Sequence, residues 1–194
     1  VTPIVTINGI NRSAAHTTNR LATALQARGL HVQHLTYHTR RWWETRNRRN
    51  QYMDALGMLR QLPARPVDVV AHSWGCLLTA RMMELGGTGI FRNVFLFAPA
   101  LDRDWVFPLE AFSRLHVIYH EQDRAVLAAR LMFLGWHPWG DMGRTGYRGE
   151  DPRVVNVQDT TKRPAFWRRM HSHYFDARGC ERWSRFILDR IREE

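Results

Sequence analysis

The chain reads as a layered α/β protein, a mostly parallel six-stranded sheet with helices on both faces. Three observations lead there. Short β-rich runs recur along the sequence, helix-spaced segments lie between them, and several runs are apolar at consecutive rather than alternating positions. Consecutive burial is the pattern of strands covered on both sides, and alternation of strand with helix is the pattern of βα units. The first strand is expected at 4–7. A helix over 18–28 follows, with Leu21, Ala24 and Leu25 toward the core and Leu30 just beyond. The second strand is expected at 32–37, and the next helix, at 50–62, has Met53, Leu56 and Leu59 at helical spacing. The third strand, 67–71, runs into a helix over 74–85 that Gly86-Gly87 should stop, because glycine accepts the left-handed conformation that closes helices. Strands at 94–98, 117–120 and 154–157 come next. A last helix over 179–191 places Trp183, Phe186, Ile187 and Ile191 on one face.

At 194 residues the chain fits one domain, 1–194, large enough to bury roughly 70% of its unfolded surface. Cys76 and Cys180 are too few for a disulfide framework, and neither lies in a C-x-x-C pair, so metal or redox chemistry has no visible support. No apolar run approaches the roughly 18 residues of a membrane span, and no charged-plus-apolar leader opens the chain. A soluble protein, cytoplasmic by default, is the expectation. The net charge is +10, carried almost wholly by arginine, since Lys162 is the only lysine. Such a field attracts anionic surfaces or nucleic acid but names no partner. It is densest at 40–49, where Arg40, Arg41, Arg46, Arg48 and Arg49 surround Trp42 and Trp43. Guanidinium groups beside indoles suit single-stranded nucleic acid, and equally a solvated connection whose tryptophans pack on the domain. Residues 133–152 stand apart, with five glycines, two tryptophans and no clear period. They read as a wall or partial lid near a site, or as a surface loop.

The most informative stretch is 67–78, a short apolar strand, a sharp turn with Ser73 at its tip, then a helix. Strand can reverse into helix this abruptly only where the side chains flanking the serine are small, and Ala71 and Gly75 supply them. The bland reading is an ordinary turn in which Ser73 caps the helix. A serine nucleophile needs a base beside it and a carboxylate to orient that base. Asp123 follows the strand ending near 120, with Glu121 as rival carboxylate, and helix capping is its other reading. Two histidines compete for the base, His171 and His173, in the segment after the sixth strand. Catalytic groups gather at strand ends along one sheet edge, and all these residues fall there.

Taken together, the first strand with Asn8-Gly9-Ile10-Asn11, the Ala71-His-Ser73-Trp-Gly75 turn, Asp123 and the His171-Ser-His-Tyr-Phe175 segment resemble small serine esterases and lipases of the α/β-hydrolase fold. The order Ser, Asp, His agrees with that family. Ala71 stands where glycine is usual, as in compact lipases of this fold, and Asn8-Gly9 stands where His-Gly is common. The resemblance implies a minimal three-layer fold with strand order 2-1-3-4-5-6. It also implies Ser73 as nucleophile, Asp123 as acid and, from the H-S-x-Y-F pattern, His171 rather than His173 as base. The backbone N–H groups of Ile10 and Trp74 would form the oxyanion hole, a contribution of about 3 kcal/mol per donor. The implied activity is hydrolysis of carboxylic esters, with no metal or organic cofactor expected; separately, an open pocket rimmed by Trp42, Trp43, Trp136 and Trp139 would suit acyl chains or aromatic esters. The alternative, from a different class, is a non-catalytic domain on the same fold that binds nucleic acid or an anionic surface through its arginine-rich face.

Overall fold

The computed structural model describes residues 2–10, 18–39, 42–63, 65–123, 140–161 and 171–193. Six strands form one sheet in the order β2-β1-β3-β4-β5-β6. They are β1 (Ile4–Ile7), β2 (Val32–His34), β3 (Val67–His72), β4 (Phe91–Phe97), β5 (Phe112–Tyr119) and β6 (Val154–Gln158). Every pairing is parallel, so the sheet is wholly rather than mostly so. The helices are α1 (Thr18–Gln26), α2 (Arg48–Leu59), α3 (Trp74–Gly86), the short α4 (Met142–Thr145) and α5 (Ala177–Arg192). Helices α1 and α5 cover one face, over a core that includes Leu21, Val70, Phe95, Phe97 and Trp183. The other face packs Val69, Val94 and Val117 under α2 and α3. Among the described residues no helix is long and apolar enough to cross a membrane.

Strands β1 and β3 are buried at every position. The one charge inside them, Asp68, is neutralised: Arg92 donates to it at 2.6 Å and the Asn93 amide at 3.0 Å. Strands β4 and β5 begin earlier than the apolar runs suggest, because Phe91 pairs with Phe112 and carries the intervening polar residues into the sheet. Those residues either find partners, as Asn93 Nδ2 does on Asp68 at 3.1 Å, or reach solvent, as Ser113 and Arg114 do. Strand β2 is shorter than expected. After Leu35, the Thr36 amide is taken by Gln61 Oε1 at 3.1 Å and Tyr37 turns beneath the end of β1.

Helix α2 turns a different face inward from the one its apolar spacing suggests. Met53 and Leu56 are exposed, while Gln51, Asp54, Ala55, Met58 and Leu59 are buried. The polar pair binds loop backbone: Asp54 accepts from the amides of His38 and Thr39 at 2.8 and 3.1 Å, and Gln51 donates to the Thr45 carbonyl at 2.8 Å. In the arginine-rich segment, residues 42–46 form a 3-10 turn and Asn47 caps α2 through the Arg49 amide at 2.9 Å. Helix α3 ends at Gly87, φ 74°, where the Gly86-Gly87 pair was expected to stop it.

Of the glycine-rich stretch 133–152, residues 140–152 are described. They run backbone against backbone along the loop after β4. A Cβ on Gly140 would stand 2.1 Å from the Asp102 Cα, and one on Gly143 2.8 Å from the Ala98 carbonyl carbon. Close packing, not mobility, accounts for glycine at both. Arg40, Arg41, Trp136, Trp139, the residues that Asp123 would cap and the side chains of Trp42 and Trp43 lie outside the described residues.

Candidate active site

Because all six strands are parallel, their C-terminal ends share one edge, and the turn after β3 stands at its centre. Ser73 has φ 53° and ψ −117°, a conformation that costs a non-glycine residue on the order of 1–3 kcal/mol. Its backbone is held on both sides. The Ser73 amide donates to the Phe97 carbonyl at 2.9 Å, and the Ser73 carbonyl accepts from Cys76 at 3.0 Å and Ala100 at 3.3 Å. Although Ser73 occupies the N-cap position of α3, its side chain makes no capping hydrogen bond. The bland role therefore fails, and the half-buried hydroxyl is left for other work. Glycine is required two residues on: a Cβ at Gly75 would lie 2.7 Å from the carbonyl oxygens of both Ile7 and Asn8.

That contact seats α3 directly on the loop after β1. Gly9 in this loop lies so close to the turn that its Cβ would come within 3.2 Å of Ser73 Cβ and 3.3 Å of His72 Nδ1. The loop is braced from below by Tyr37, whose hydroxyl donates to the Gly9 carbonyl at 2.7 Å. The Asn8 side chain is turned into the protein, accepting from the Thr18 amide at 3.1 Å and donating to His34 Nε2 at 3.1 Å. Asn8 thus sets the loop's shape. Ile10 follows, half-buried, and Trp74, the first residue of α3, is fully buried.

The two competing histidines have different partners. His171 Nδ1 donates to Asp123 Oδ2 at 2.7 Å, with the carboxylate fully buried and the imidazole 18% exposed. His173 Nε2 donates instead to Asp159 Oδ2 at 2.5 Å, both side chains buried. Glu121, the rival acid, is exposed. Asp123 sits in a tight turn, its amide bonded to the His120 carbonyl at 2.9 Å. Burial pushes the His171 pKa down, the charge and hydrogen bond of Asp123 push it up, and the balance lies above the ordinary histidine value. For Asp159 burial acts upward, but hydrogen bonds from His173, Thr161 and Arg182 outweigh it and hold the carboxyl below the usual range.

Among the described residues Ser73 and His171 share no hydrogen bond. What joins their loops is His72, which bonds the His171 carbonyl at 2.9 Å. Sequence reasoning missed His72, Tyr37 and Asp159. A signal existed only for the first, since strand alternation from buried Val70 places residue 72 on the α5 face. Among the described residues no group of three His, Cys, Asp or Glu side chains is disposed to hold a metal ion.

A parallel sheet of order 2-1-3-4-5-6, helices on both faces and a strained serine between β3 and α3 define a three-layer α/β-hydrolase fold. The chain belongs to the serine hydrolase family, which it matches over residues 4–125, a span that contains Ser73 and Asp123 and stops short of His171. Solved structures agree on the fold. A protein described as a CIB-like hydrolase from Thermoplasma acidophilum is 14% identical, with a TM-score of 0.55 over 100% of this chain and 87% of its own. A YdeN-like hydrolase from Pectobacterium atrosepticum is 16% identical, TM-score 0.52, covering 95% and 90%. A hydrolase of the alpha/beta superfamily from Xanthomonas campestris pv. campestris is 15% identical, TM-score 0.52, covering 97% and 99%. No curated protein sequence matches this chain. The protein is a hydrolase by family.

Proposed function

We propose that the protein is an esterase or lipase-like enzyme that hydrolyses carboxylic esters through an acyl-enzyme, the whole chain forming one catalytic domain. Ser73 Oγ attacks the acyl carbonyl while His171 Nε2 takes its proton. Asp123 keeps the other imidazole proton on Nδ1 and stabilises the imidazolium that forms. The oxyanion of the tetrahedral intermediate faces the backbone N–H groups of Ile10 and Trp74. Collapse expels the alcohol, which receives the proton from His171, and water then attacks the acyl-serine by the same route in reverse.

The observation that carries this reading is the 2.7 Å bond from His171 Nδ1 to buried Asp123, which leaves Nε2 as the basic nitrogen. The strained turn at Ser73 and the close approach of Gly9 to it support the remaining assignments. The test is covalent labelling of the full chain with a fluorophosphonate probe, together with turnover of p-nitrophenyl esters of increasing acyl length. Labelling at Ser73 and loss of both reactions in a folded Ser73→Ala variant are expected. An unlabelled native protein, or turnover that survives Ser73→Ala, sinks the proposal.

A further inference from the structure

One buried side chain that meets no substrate in this scheme ties the serine turn to the histidine loop. His72 ends β3, precedes Ser73 and is 3% exposed. Its Nε2 lies 2.9 Å from the main-chain carbonyl of His171. A carbonyl only accepts, so the proton is on Nε2 and Nδ1 is bare. The ring stands 4.8 Å from the His171 ring and meets Phe175 edge-on at 4.9 Å. Its Nδ1 is buried without a hydrogen-bond partner, against Gly9. A single imidazole therefore adjoins Ser73 through the backbone, the His171 loop through a hydrogen bond and the Gly9 loop by contact.

We infer that His72 is a positioning residue, whose Nε2–H bond to the His171 carbonyl sets where the His171 imidazole stands relative to Ser73 and Asp123. This rests on the proposed triad. The charged and titratable groups facing His72 are His171, His173 and Asp123. Burial, with the neighbouring His171, pushes its pKa down to about 3, so it stays a neutral donor wherever His171 can act as a base. Neutrality matters, because a second cation beside His171 would oppose the imidazolium formed during attack. Simple core packing is the competing explanation, and it makes no demand for an N–H at this reach.

The test compares His72→Leu, which keeps bulk without a donor, His72→Asn, whose donor is too short, and His72→Gln, whose amide nitrogen matches the reach of Nε2. Three quantities are read on the full chain: the urea midpoint, the NMR titration of His171, and kcat and KM on a p-nitrophenyl ester. In the Leu and Asn variants the His171 midpoint should fall toward the ordinary histidine value as its hold on Asp123 loosens. Their kcat should fall on the order of 10²-fold, as expected for a misplaced base, with KM within about twofold. Gln should restore the titration and bring kcat back to within about tenfold of the native enzyme. The inference is overturned if folded Gln behaves like Leu and Asn, or if all three keep the native titration. Because that titration needs no turnover, an enzyme inactive on esters overturns the ester assignment while the role of His72 is still decided.

Discussion

His173 and Asp159 form a histidine–carboxylate pair of their own, Nε2 to Oδ2 at 2.5 Å, buried one step along the loop from His171 and Asp123. Asp159 also accepts from Arg182 at 2.6 Å and from Thr161 Oγ1 at 2.6 Å, so it fastens the end of β6 to the histidine loop and to α5. Two such pairs with different exposure should fail differently. His173→Ala should cost about 3 kcal/mol in urea unfolding, because it leaves a buried carboxylate short of a partner. The folded fraction should keep kcat within about tenfold. His171→Ala, which also leaves a buried carboxylate short of a partner, should cost a similar amount in urea unfolding but lose at least about 10³-fold in kcat. Equal losses of kcat in the two variants would withdraw the distinction.

The rate profile should carry the sign of the His171 shift. Asp123 holds that imidazole protonated to higher pH than usual, and only the neutral form is a base. The acid limb of kcat/KM should therefore lie above about 6.5, the ordinary histidine value. In Asp123→Asn the upward influence is gone and burial remains, so the limb should move below that value, with activity reduced about 10⁴-fold. A limb unmoved by Asp123→Asn excludes this pair as its source.

Acid should destabilise the protein through two other histidines. Burial, with Arg190 and Arg114 nearby, pushes His116 down to about 4, and His72 is held near 3. His116 stacks on Phe95 at 4.9 Å beneath α5, and neither ring nitrogen has a hydrogen-bond partner. Between pH 6.5 and these values the unfolded chain binds protons that the folded one refuses, so stability is full above 6.5 and falls as pH drops. His171 works oppositely, its contribution present below 6.5 and lost as pH rises through its raised value. His116→Phe should flatten the acid side by up to about 3 kcal/mol, read as urea midpoints from pH 7 to pH 4. An unchanged slope would mean that His116 takes up its proton in the folded state.

Two glycines should separate folding from catalysis. A methyl at Gly75 would meet fixed carbonyl oxygens at 2.7 Å, so Gly75→Ala should destabilise by about 2–3 kcal/mol. At Gly9 the neighbours are 3.2 and 3.3 Å away and belong to Ser73 and His72. Gly9→Ala should fold with a nearly native melting temperature and lose about 10²-fold in kcat through displacement of the oxyanion loop. Native turnover in Gly9→Ala would place the oxyanion donors elsewhere.

Much of this architecture was legible in the chain because its signals are local. The turn at Ser73 declared itself through Ala71 and Gly75, and the stop of α3 through Gly86-Gly87. Other features were hidden because distant backbone created them. The polar inner face of α2 exists because Asp54 and Gln51 bind loop amides and carbonyls, which apolar periodicity does not register. Residues 140–146 form a packed helical turn because the loop after β4 lies against them, a contact that composition alone presents as an open loop.

The sequence by itself determined the parallel sheet, the sharp turn at Ser73 and the placing of Asp123 and the two histidines at strand ends, since periodicity and turn chemistry act over a few residues; the strand order came from the family resemblance. Only the tertiary structure decided which histidine meets which carboxylate. His171 reaches back 48 residues to Asp123, while His173, two positions later, reaches back 14 to Asp159. Residues two apart in this turn point in different directions, and each imidazole bonds whichever acid the fold has carried to its side.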